Sequence, residues 1–239
     1  MKALIDGDIV VHRCGYVSDG DPLGIAKART DEMIELILAD VKANEYQIWL
    51  SDSHDNNFRK ILWQDYKANR VQPRPVHYQA LKDYLFDEWE ANLALGMEAD
   101  DSLGIEQDKE TNTTVICSID KDLLQIPGKH YNFVKKEAST STVHGGLVYF
   151  YTQLVMGDRS DNIGGFDGTM RQSLPKFLVP MVANLTACKN ERQMFDLVSD
   201  LYNSEMAIPN NYERLLLNGK LMWIRRQENE VWTPPKSMR

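Results

Sequence analysis

Residues 98–122 read EADDSLGIEQDKETNTTVICSIDKD, in which two acidic clusters flank an apolar run. The run from Thr113 to Ile119 is β-branched and apolar, which is typical of a buried strand. The segment from Glu98 to Gln107 has the length of one helix, and its acidic first turn complements the helix dipole. A helix that begins with carboxylates is therefore predicted to precede a strand that ends at Asp120.

The same pattern, an apolar run ending in aspartate, occurs at two other places. Asp6 follows Ala3-Leu4-Ile5, and Asp52 follows the run 47–51. In an open parallel α/β sheet, ligands gather outside the carboxyl ends of the strands. Three such strands would direct carboxylates into one crevice, where like charges stay ionised only if cations neutralise them. All-oxygen ligation favours hard divalent ions, so the sequence predicts a site for Mg²⁺ or Mn²⁺.

The other segments supply the elements around this site. Gly7 is expected to allow a tight bend after Asp6, and Asp8 either joins the acidic cluster or caps the following segment. Val76 to Leu95 is predicted to be a helix with Tyr78 on its core face. The remaining predictions are a loop at 18–24, a helix at 31–43, a short strand at 132–135, a buried helix or strand at 147–156, helices at 191–201 and 211–217, and a fraying tail at 228–239.

Composition places the chain among ordinary globular proteins. With 239 residues, 43% of them hydrophobic, it can form one large domain or a domain with a small appendage. Cys14, Cys117 and Cys188 show no CxxC spacing, which fits reduced thiols in a cytoplasmic protein. No apolar run approaches the roughly 18 residues that span a bilayer. We therefore expect a cytoplasmic protein with no membrane partner.

The net charge of −8 argues at first against a nucleic-acid partner. However, nine of the 35 acidic residues fall in the motifs of this subsection, which leaves 26 acidic residues against 27 basic ones. Basic side chains that can position phosphates are interleaved with Trp63 and Tyr66, whose rings can stack on bases. These cations are Arg59, Lys60, Lys67, Arg70 and Arg74.

Four segments together resemble the flap endonuclease (5′-nuclease) superfamily, and most closely its phage 5′ to 3′ exonucleases. They occur in the order found in that family, and the resemblance covers roughly residues 1–170. The last segment is a polar turn in which two aspartates are framed by glycines. The segments are Leu4-Ile5-Asp6-Gly7, Tyr66-Lys67-Ala68-Asn69-Arg70, Glu98-Ala99-Asp100-Asp101 with Asp120-Lys121-Asp122, and Gly157 to Gly165.

The resemblance implies an α/β fold with a central, mainly parallel sheet flanked by helices, which is a PIN-like 5′-nuclease core. It also implies a short helical arch or gateway at about 58–97 and a C-terminal helical region that carries a degenerate helix-three-turn-helix. The implied division is a catalytic core at 1–156 and a C-terminal region at 157–239.

The resemblance also implies the roles of the site residues. Asp120 would bridge two metal ions, while Lys67 and Arg70 would contact the scissile phosphate and Tyr66 would stack on a terminal base. The residues that would hold or surround the first ion are Asp6, Asp52, Glu98, Asp100, Asp101 and Asp120, and those for the second are Asp120, Asp122, Asp158 and Asp161.

The helix-three-turn-helix of the family grips duplex DNA and holds K⁺. Here Phe166 to Met170 replaces its second glycine hairpin, which weakens the expectation of a K⁺ site. Arg171 and Lys176 are the DNA contacts that the resemblance implies at this element.

The implied activity is metal-dependent hydrolysis of phosphodiester bonds near the 5′ ends of duplex DNA, flaps or RNA·DNA hybrids, as an exonuclease or flap endonuclease. The implied setting is phage DNA replication, in primer removal, or DNA degradation. Its partners would be DNA and replication proteins such as a polymerase or a single-strand-binding protein, in the host cytoplasm if the chain is phage-encoded.

Three alternatives stay open from the residues. A haloacid-dehalogenase-type phosphatase would use Asp6 as nucleophile and Asp8 as general acid. It leaves three groups without a role: the acids of Glu98 to Asp101, Asp120 with Asp122, and the pair Lys67 and Arg70. A PIN-type ribonuclease needs fewer carboxylates and a shorter chain. A non-catalytic nucleic-acid-binding or metal-buffering protein would explain the acids only as bulk charge.

Overall fold

The computed structural model describes residues 1–204, 206, 208 and 211–236. These residues form two compact units. The first comprises Met1–Phe58, Gln72–Ser141 and Ile224–Glu228, and the second comprises Arg59–Val71, Thr142–Trp223 and the chain from Asn229. The chain passes between the units at 58/59, 71/72, 141/142, 223/224 and 228/229. The predicted boundary at 156/157 does not coincide with any of these positions.

Among the described residues, six strands form the sheet of the first unit, in the order β3-β2-β1-β4-β5-β6. All neighbouring strands are parallel except β5 and β6, which form an antiparallel pair. This confirms the predicted mainly parallel sheet. The strands are β1 Lys2–Asp6, β2 Glu45–Ser51, β3 Asn92–Ala94, β4 Thr114–Cys117, β5 Gly128–Asn132 and β6 Glu137–Ser141.

The helices in chain order are α1 Gly7–Val17, α2 Leu23–Val41, α3 Phe58–Leu62, α4 Tyr78–Trp89, α5 Ala99–Lys109, α6 Val143–Met156, α7 Val179–Ala187, α8 Glu191–Tyr202 and α9 Asn211–Met222. In the first unit, α1, α2 and α4 pack with the sheet around a core of apolar side chains such as Val10, Ile34 and Ile48. The burial of these side chains is the main stabilising contribution.

Several predicted boundaries are corrected. Gly7 is the first residue of α1, which begins directly after β1, so no separate turn follows Asp6. The predicted helix at 31–43 is longer and begins at Leu23, after Pro22. The predicted helix Val76–Leu95 ends at Trp89, where Glu90 takes a left-handed conformation (φ 49°), and β3 follows.

The predicted strand at 132–135 is displaced toward the N-terminus. β5 ends at Asn132, whose side-chain oxygen accepts hydrogen bonds from the backbone N–H groups of Val134 (3.1 Å) and Lys135 (2.9 Å). An asparagine that satisfies its neighbours' backbone in this way favours a turn over a strand. The turn leads directly into β6.

The second unit is built around α6, which settles the open choice of helix or strand at 147–156 in favour of a helix. Its buried residues Phe150, Tyr151 and Leu154 pack with side chains of α8 and α9. Gly157 and Asp158 form β7, which pairs antiparallel with β8, Ile163–Gly164.

The predicted fraying tail is wrong at Trp232. The Trp232 side chain is buried, its ring centroid lies 5.6 Å from that of Phe150, and a Cβ added at Gly219 would lie 2.2 Å from its ring. Gly219 therefore leaves the space that this ring occupies. An isolated apolar residue in a polar tail carries no periodic signal, so sequence patterns missed this contact.

Replacing Trp232 with alanine should destabilise the protein by about 3–5 kcal/mol, the range for removing a large buried aromatic side chain. The measurement is chemical denaturation followed by circular dichroism. Val231→Ala is the matched control, because Val231 is 46% exposed. Equal midpoints for both variants would show that the tail contributes nothing to the core.

Candidate functional site

The side chain of Asp6 lies at the centre of the carboxyl edge of the sheet. It accepts hydrogen bonds from the backbone N–H of Ile9 (3.1 Å) and from the hydroxyl of Ser118 (2.6 Å), and the residue is 3% exposed. Asp6 is thus the N-cap of α1. Gly7 lets the helix begin this close to β2, because a Cβ there would lie 2.7 Å from the carbonyl oxygen of Trp49.

Two further carboxylates surround Asp6. Burial and the charge of Asp8, with a smaller effect from Asp120, raise the pKa of Asp6 to about 7. β1 and β4 are neighbours from which the chain proceeds in opposite directions across the sheet, so this is the topological switch point at which α/β proteins bind ligands. The arrangement favours binding of a cation.

Ser118 links two of these carboxylates and was missed by the sequence analysis. Its hydroxyl donates to Asp6 and accepts a hydrogen bond from the backbone N–H of Asp120 (3.0 Å), while Asp120 Oδ1 accepts from the backbone N–H of Asp122 (2.9 Å). The chain after β4 is therefore folded so that Asp120 stays beside the edge. A serine at the end of an apolar run was the only signal available.

The carboxylate of Asp8, in the first turn of α1, is hydrogen-bonded to the last residue of β2. The backbone N–H of Ser51 donates to both carboxylate oxygens of Asp8, at 3.3 and 3.2 Å. Because the charge of Asp8 also raises the pKa of Asp6, Asp8 takes the first of the two roles left open for it and joins the acidic cluster.

Asp52 organises the loop after β2. It accepts hydrogen bonds from the backbone N–H groups of Gly96 (2.9 Å) and Ser53 (2.6 Å), and the first of these is the main reason that its pKa is lowered. Its prediction as a metal ligand came from its position after an apolar run. In the structure, both of its oxygens accept backbone hydrogen bonds.

Glu98 and Asp101 form a capping box at the start of α5, as the helix prediction from Glu98 requires. The carboxylate of Asp101 is fully buried and accepts hydrogen bonds from the backbone N–H groups of Glu98 (3.2 Å) and Arg225 (3.1 Å). Asp100, one residue earlier, is partly exposed. Asp101 therefore supports the helix, and Asp100 is better placed to meet a ligand.

Asp101→Asn should lower the free energy of unfolding by about 1–3 kcal/mol, because it replaces one acceptor of a buried backbone N–H with an amide group. Thermal unfolding in EDTA measures this effect apart from metal binding. Asp108→Asn, an exposed change on the same helix, should leave the melting temperature unchanged. If both variants melt at the wild-type temperature, the structural role assigned to Asp101 is wrong.

The full set of predicted carboxylates is not assembled into one cluster. Within residues 1–204, 206, 208 and 211–236, no three His, Cys, Asp or Glu side chains are arranged to hold a metal ion. Several of the predicted ligands accept backbone hydrogen bonds, as described for Asp6, Asp52 and Asp101. The group that comes nearest to the prediction is Asp6 with Asp8 and Asp120.

In the second unit, the side chains of three predicted site residues contact the carboxylate of a fourth, Asp161. Asp161 Oδ1 lies 2.9 Å from Arg70 Nη2 and 3.6 Å from Lys67 Nζ, and Asp161 Oδ2 accepts from the hydroxyl of Tyr66 at 2.8 Å. The backbone joins them as well, because Lys67 N–H donates to the Asp161 carbonyl (3.0 Å). Asp161 thus holds both cations in place.

The stacking role predicted for Tyr66 is corrected. Tyr66 is 1% exposed and belongs to the core of the second unit, so its ring offers no face to a base. The stacking role was implied by the family resemblance and was consistent with the basic residues around Tyr66 in the sequence. Its hydroxyl instead orients Asp161.

The predicted polar turn connects β7 to β8. Asp158 Oδ1 accepts from the backbone N–H groups of Ser160 (2.6 Å) and Asp161 (3.1 Å). Gly157 has a φ of 75°, and a Cβ there would lie 2.4 Å from Gly165 N, so the position requires glycine. The turn fixes the backbone that carries Asp161.

The two implied DNA contacts differ in availability. The guanidinium of Arg171 is ion-paired with Asp167 and lies 5.6 Å from the ring centroid of Phe166. Its side chain is 11% exposed, which leaves little of it for DNA. Lys176 is exposed at the start of the short 3₁₀ helix Lys176–Leu178.

Sequence reasoning missed a second feature of the first unit, the residues at the start of α4. Lys82 donates from Nζ to the carbonyl oxygen of Ser51 (3.0 Å), and its charge helps to lower the pKa of Asp52. Burial and the charge of Asp8 raise the pKa of Tyr78. Both side chains therefore lie near the carboxyl end of β2, although Tyr78 was assigned only to the core.

The helices in the described ranges include none that is long and apolar enough to cross a membrane.

The fold of this chain is similar to that of solved bacteriophage T5 proteins. A bacteriophage T5 protein co-crystallised with metal ions matches it with a TM-score of 0.59 at 16% identity, over 90% of this chain and 88% of that one. The T5 flap endonuclease in a pseudo-enzyme–product complex with DNA and metal ions matches with a TM-score of 0.52 at 16% identity, over 91% and 98%. These likenesses confirm the predicted fold class.

Sequence comparison gives the family. Residues 2–149 match the N-terminal, resolvase-like domain of 5′-3′ exonucleases. A 5′-3′ exonuclease of Buchnera aphidicola subsp. Acyrthosiphon pisum (strain APS) is 27% identical over 93% of this chain and 85% of its own length. The chain belongs to the 5′-3′ exonuclease family. This assignment replaces the phosphatase and non-catalytic alternatives.

Proposed function

We propose that this chain is a divalent-metal-dependent nuclease that hydrolyses phosphodiester bonds near the 5′ ends of DNA. One observation carries the proposal: the carboxylate of Asp6 is buried at the switch point of the sheet beside those of Asp8 and Asp120. Such a group of like charges is costly unless a cation neutralises it. Family membership supplies the class of reaction.

The residues at this edge fit a hard divalent ion. The donors are carboxylate oxygens, which suit Mg²⁺ and Mn²⁺. Asp6, Asp8, Asp120 and Asp122 would hold the ions, with Asp100 at the start of α5, while Asp158 and Asp161 stay predicted ligands of a second ion. Bound ions would supply an activated water and stabilisation of the leaving oxygen. A T5 5′-exonuclease structure contains zinc, which supports a divalent cofactor.

The chain's own residues would do the remaining work. Ser118 links the carboxylate of Asp6 to the backbone of Asp120, and both carboxylates would contact the bound ion. Lys67 and Arg70 would neutralise charge that develops on the phosphate oxygens. Asp161 fixes these two cations before substrate arrives, which reduces the reorganisation needed during the reaction.

DNA is the proposed substrate, since a T5 relative is described in complex with DNA. We extend the proposal to duplexes with a free 5′ end, flaps and RNA·DNA hybrids. Removal of primers in phage replication, or DNA degradation, is the setting proposed. A polymerase or a single-strand-binding protein would then be the replication partner.

The test compares 5′-labelled and 3′-labelled duplex, flap and hybrid substrates in Mg²⁺, Mn²⁺ and EDTA. We expect 5′-phosphorylated nucleotides or short oligomers released from the 5′ end, and no cleavage in EDTA. Release from the 3′ end, or cleavage in chelator, would refute the proposal. Trapping a phosphorylated Asp6 would instead support the phosphatase interpretation, in which Asp6 is the nucleophile.

A further inference from the structure

We propose that Arg74 and Lys82, arranged on the ring of Tyr78, bind backbone phosphates of the nucleic-acid strand at the carboxyl edge of the sheet. The inference rests on the proposed function. It adds a substrate-binding pair on the first unit, separate from Lys67 and Arg70 of the second unit.

Tyr78 is the platform of this pair. The guanidinium carbon of Arg74 lies 4.5 Å from the ring centroid of Tyr78, and Lys82 Nζ lies 5.9 Å from it. The ring of His12 packs against Tyr78 as well, with centroids 5.0 Å apart. An arginine stacked on an aromatic face keeps its N–H edge available for a phosphate.

The hydrogen-bonding capacity of both cations is largely unused. Lys82 has three donors, and one of them is bonded to the Ser51 carbonyl. Within the described part of the chain, no carboxylate forms an ion pair with Lys82 or Arg74, whereas Arg29, for example, is paired with Asp21. Both cations therefore have N–H donors available, beside the carboxyl edge of the sheet, to form hydrogen bonds with a phosphate group.

The segment that carries Arg74 is held in place before any ligand binds. Arg74 stands between two prolines, which restrict the backbone. The Pro73 carbonyl accepts from the hydroxyl of Tyr16 (2.8 Å), and the N–H of Val76 donates to Asp19 Oδ1 (2.9 Å). Because the backbone is already ordered, binding costs less conformational entropy than it would on a free loop.

Both cations also lie near the carboxyl ends of the strands, where the proposed metal site is. Lys82 contacts the last residue of β2, and Tyr78 lies close enough to Asp8 for that carboxylate to act on its hydroxyl. A strand whose scissile phosphate meets Asp6 and Asp120 would therefore pass these side chains with a neighbouring phosphate. Phosphate contacts of this kind position a strand without reading its sequence.

The experiment measures binding of a 5′-labelled DNA duplex in Ca²⁺ as the salt concentration is varied, using the full chain. Lys82→Met and Arg74→Gln should each reduce the slope of log K against log salt by about 0.9, the value for one lost phosphate contact. Tyr78→Phe should keep the wild-type slope, since it retains the ring. For Lys82→Met and Arg74→Gln, the KM of steady-state cleavage should rise. The single-turnover rate at saturating enzyme should stay at the wild-type value.

Lys27→Met is the matched control, because Lys27 Nζ lies 4.5 Å from the ring centroid of Tyr84, a residue of α4, in a similar contact. It should bind DNA like the wild type. Wild-type slopes for both Lys82→Met and Arg74→Gln would overturn the inference while leaving the proposed nuclease in place. A lower melting temperature for Lys82→Met with an unchanged slope would show that Lys82 only supports β2. The slope of Arg74→Gln, a change at an exposed residue, would then determine whether the inference stands. A wild-type chain that neither binds nor cleaves DNA would overturn both proposals.

Discussion

Asp120→Asn should lower the single-turnover rate of cleavage by at least about 10²- to 10³-fold, the scale of losing one preorganised electrostatic group. Asp120 follows β4 and acts on the buried carboxylate of Asp6. Removing its charge takes one ligand from the proposed metal site while the side-chain volume stays nearly the same. Quenched-flow cleavage of a 5′-labelled duplex in Mg²⁺ measures the rate.

Asp87→Asn is the control for this prediction, because Asp87 is exposed on α4 and should cleave at the wild-type rate. Mg²⁺ or Mn²⁺ should also raise the melting temperature of the wild type and of Asp87→Asn, since an ion that binds only the folded state stabilises it. Asp120→Asn should show a smaller increase. Undiminished cleavage by Asp120→Asn would contradict its assignment as a metal ligand.

Lys67→Ala should lower the rate of the chemical step by about 10²- to 10³-fold, because in the proposed mechanism Lys67 would be a preorganised cation that stabilises charge on the phosphate oxygens. The left-handed backbone at Lys67 (φ 56°) and its contact with Asp161 set the side chain before substrate binds. Duplex binding should change little, since one phosphate contact contributes a slope of only about 0.9 to the salt dependence. Single-turnover cleavage beside a binding titration in Ca²⁺ separates the two effects.

Lys189→Ala, an exposed change in the second unit, is the control and should match the wild type in both assays. Asp161→Asn should share part of the defect of Lys67→Ala, because it removes the charge that holds Lys67 and Arg70. Weaker binding with an intact single-turnover rate in Lys67→Ala would mean that Lys67 is an ordinary backbone contact.

The sheet and its acidic edge could be predicted because their signals are local. β1, β2 and β4 are short apolar runs that end at Asp6, one residue before Asp52 and three residues before Asp120, and the parallel arrangement places their carboxyl ends at one edge. The position of Asp6 beside Asp120 follows from the pairing of Ile5 with Cys117 across β1 and β4. This much of the site is determined by patterns a few residues long.

The partners of the site residues could not be predicted, since they depend on contacts between distant parts of the chain. Asp161 was expected to bind metal, yet it is paired with Lys67 and Arg70, more than ninety residues earlier. Tyr66 was expected to stack on a terminal base, as the resemblance implies and its basic neighbours suggested, but the core of the second unit encloses it. Polarity of the neighbouring sequence says little about which face a single aromatic residue takes.

The roles of Lys82 and Ser118 were missed for a related reason. A helical pattern gives the face of Tyr78 and Lys82 relative to α4, but it does not show that this face meets the end of β2. Similarly, Ser118 follows an apolar run like many serines, and only the register of β4 against β1 brings its hydroxyl to Asp6. Such residues are identified by the fold rather than by the motif.

The central claim is that the carboxylates around Asp6 hold a divalent metal ion. The most direct test is calorimetric titration of Mn²⁺ into the wild-type protein and into Asp6→Asn. Asparagine is as good an N-cap as aspartate, so this variant should keep α1 intact while losing the charge. We expect Mn²⁺ to bind the wild type and its affinity to fall sharply in Asp6→Asn. Binding with unchanged affinity and stoichiometry in Asp6→Asn would contradict the claim.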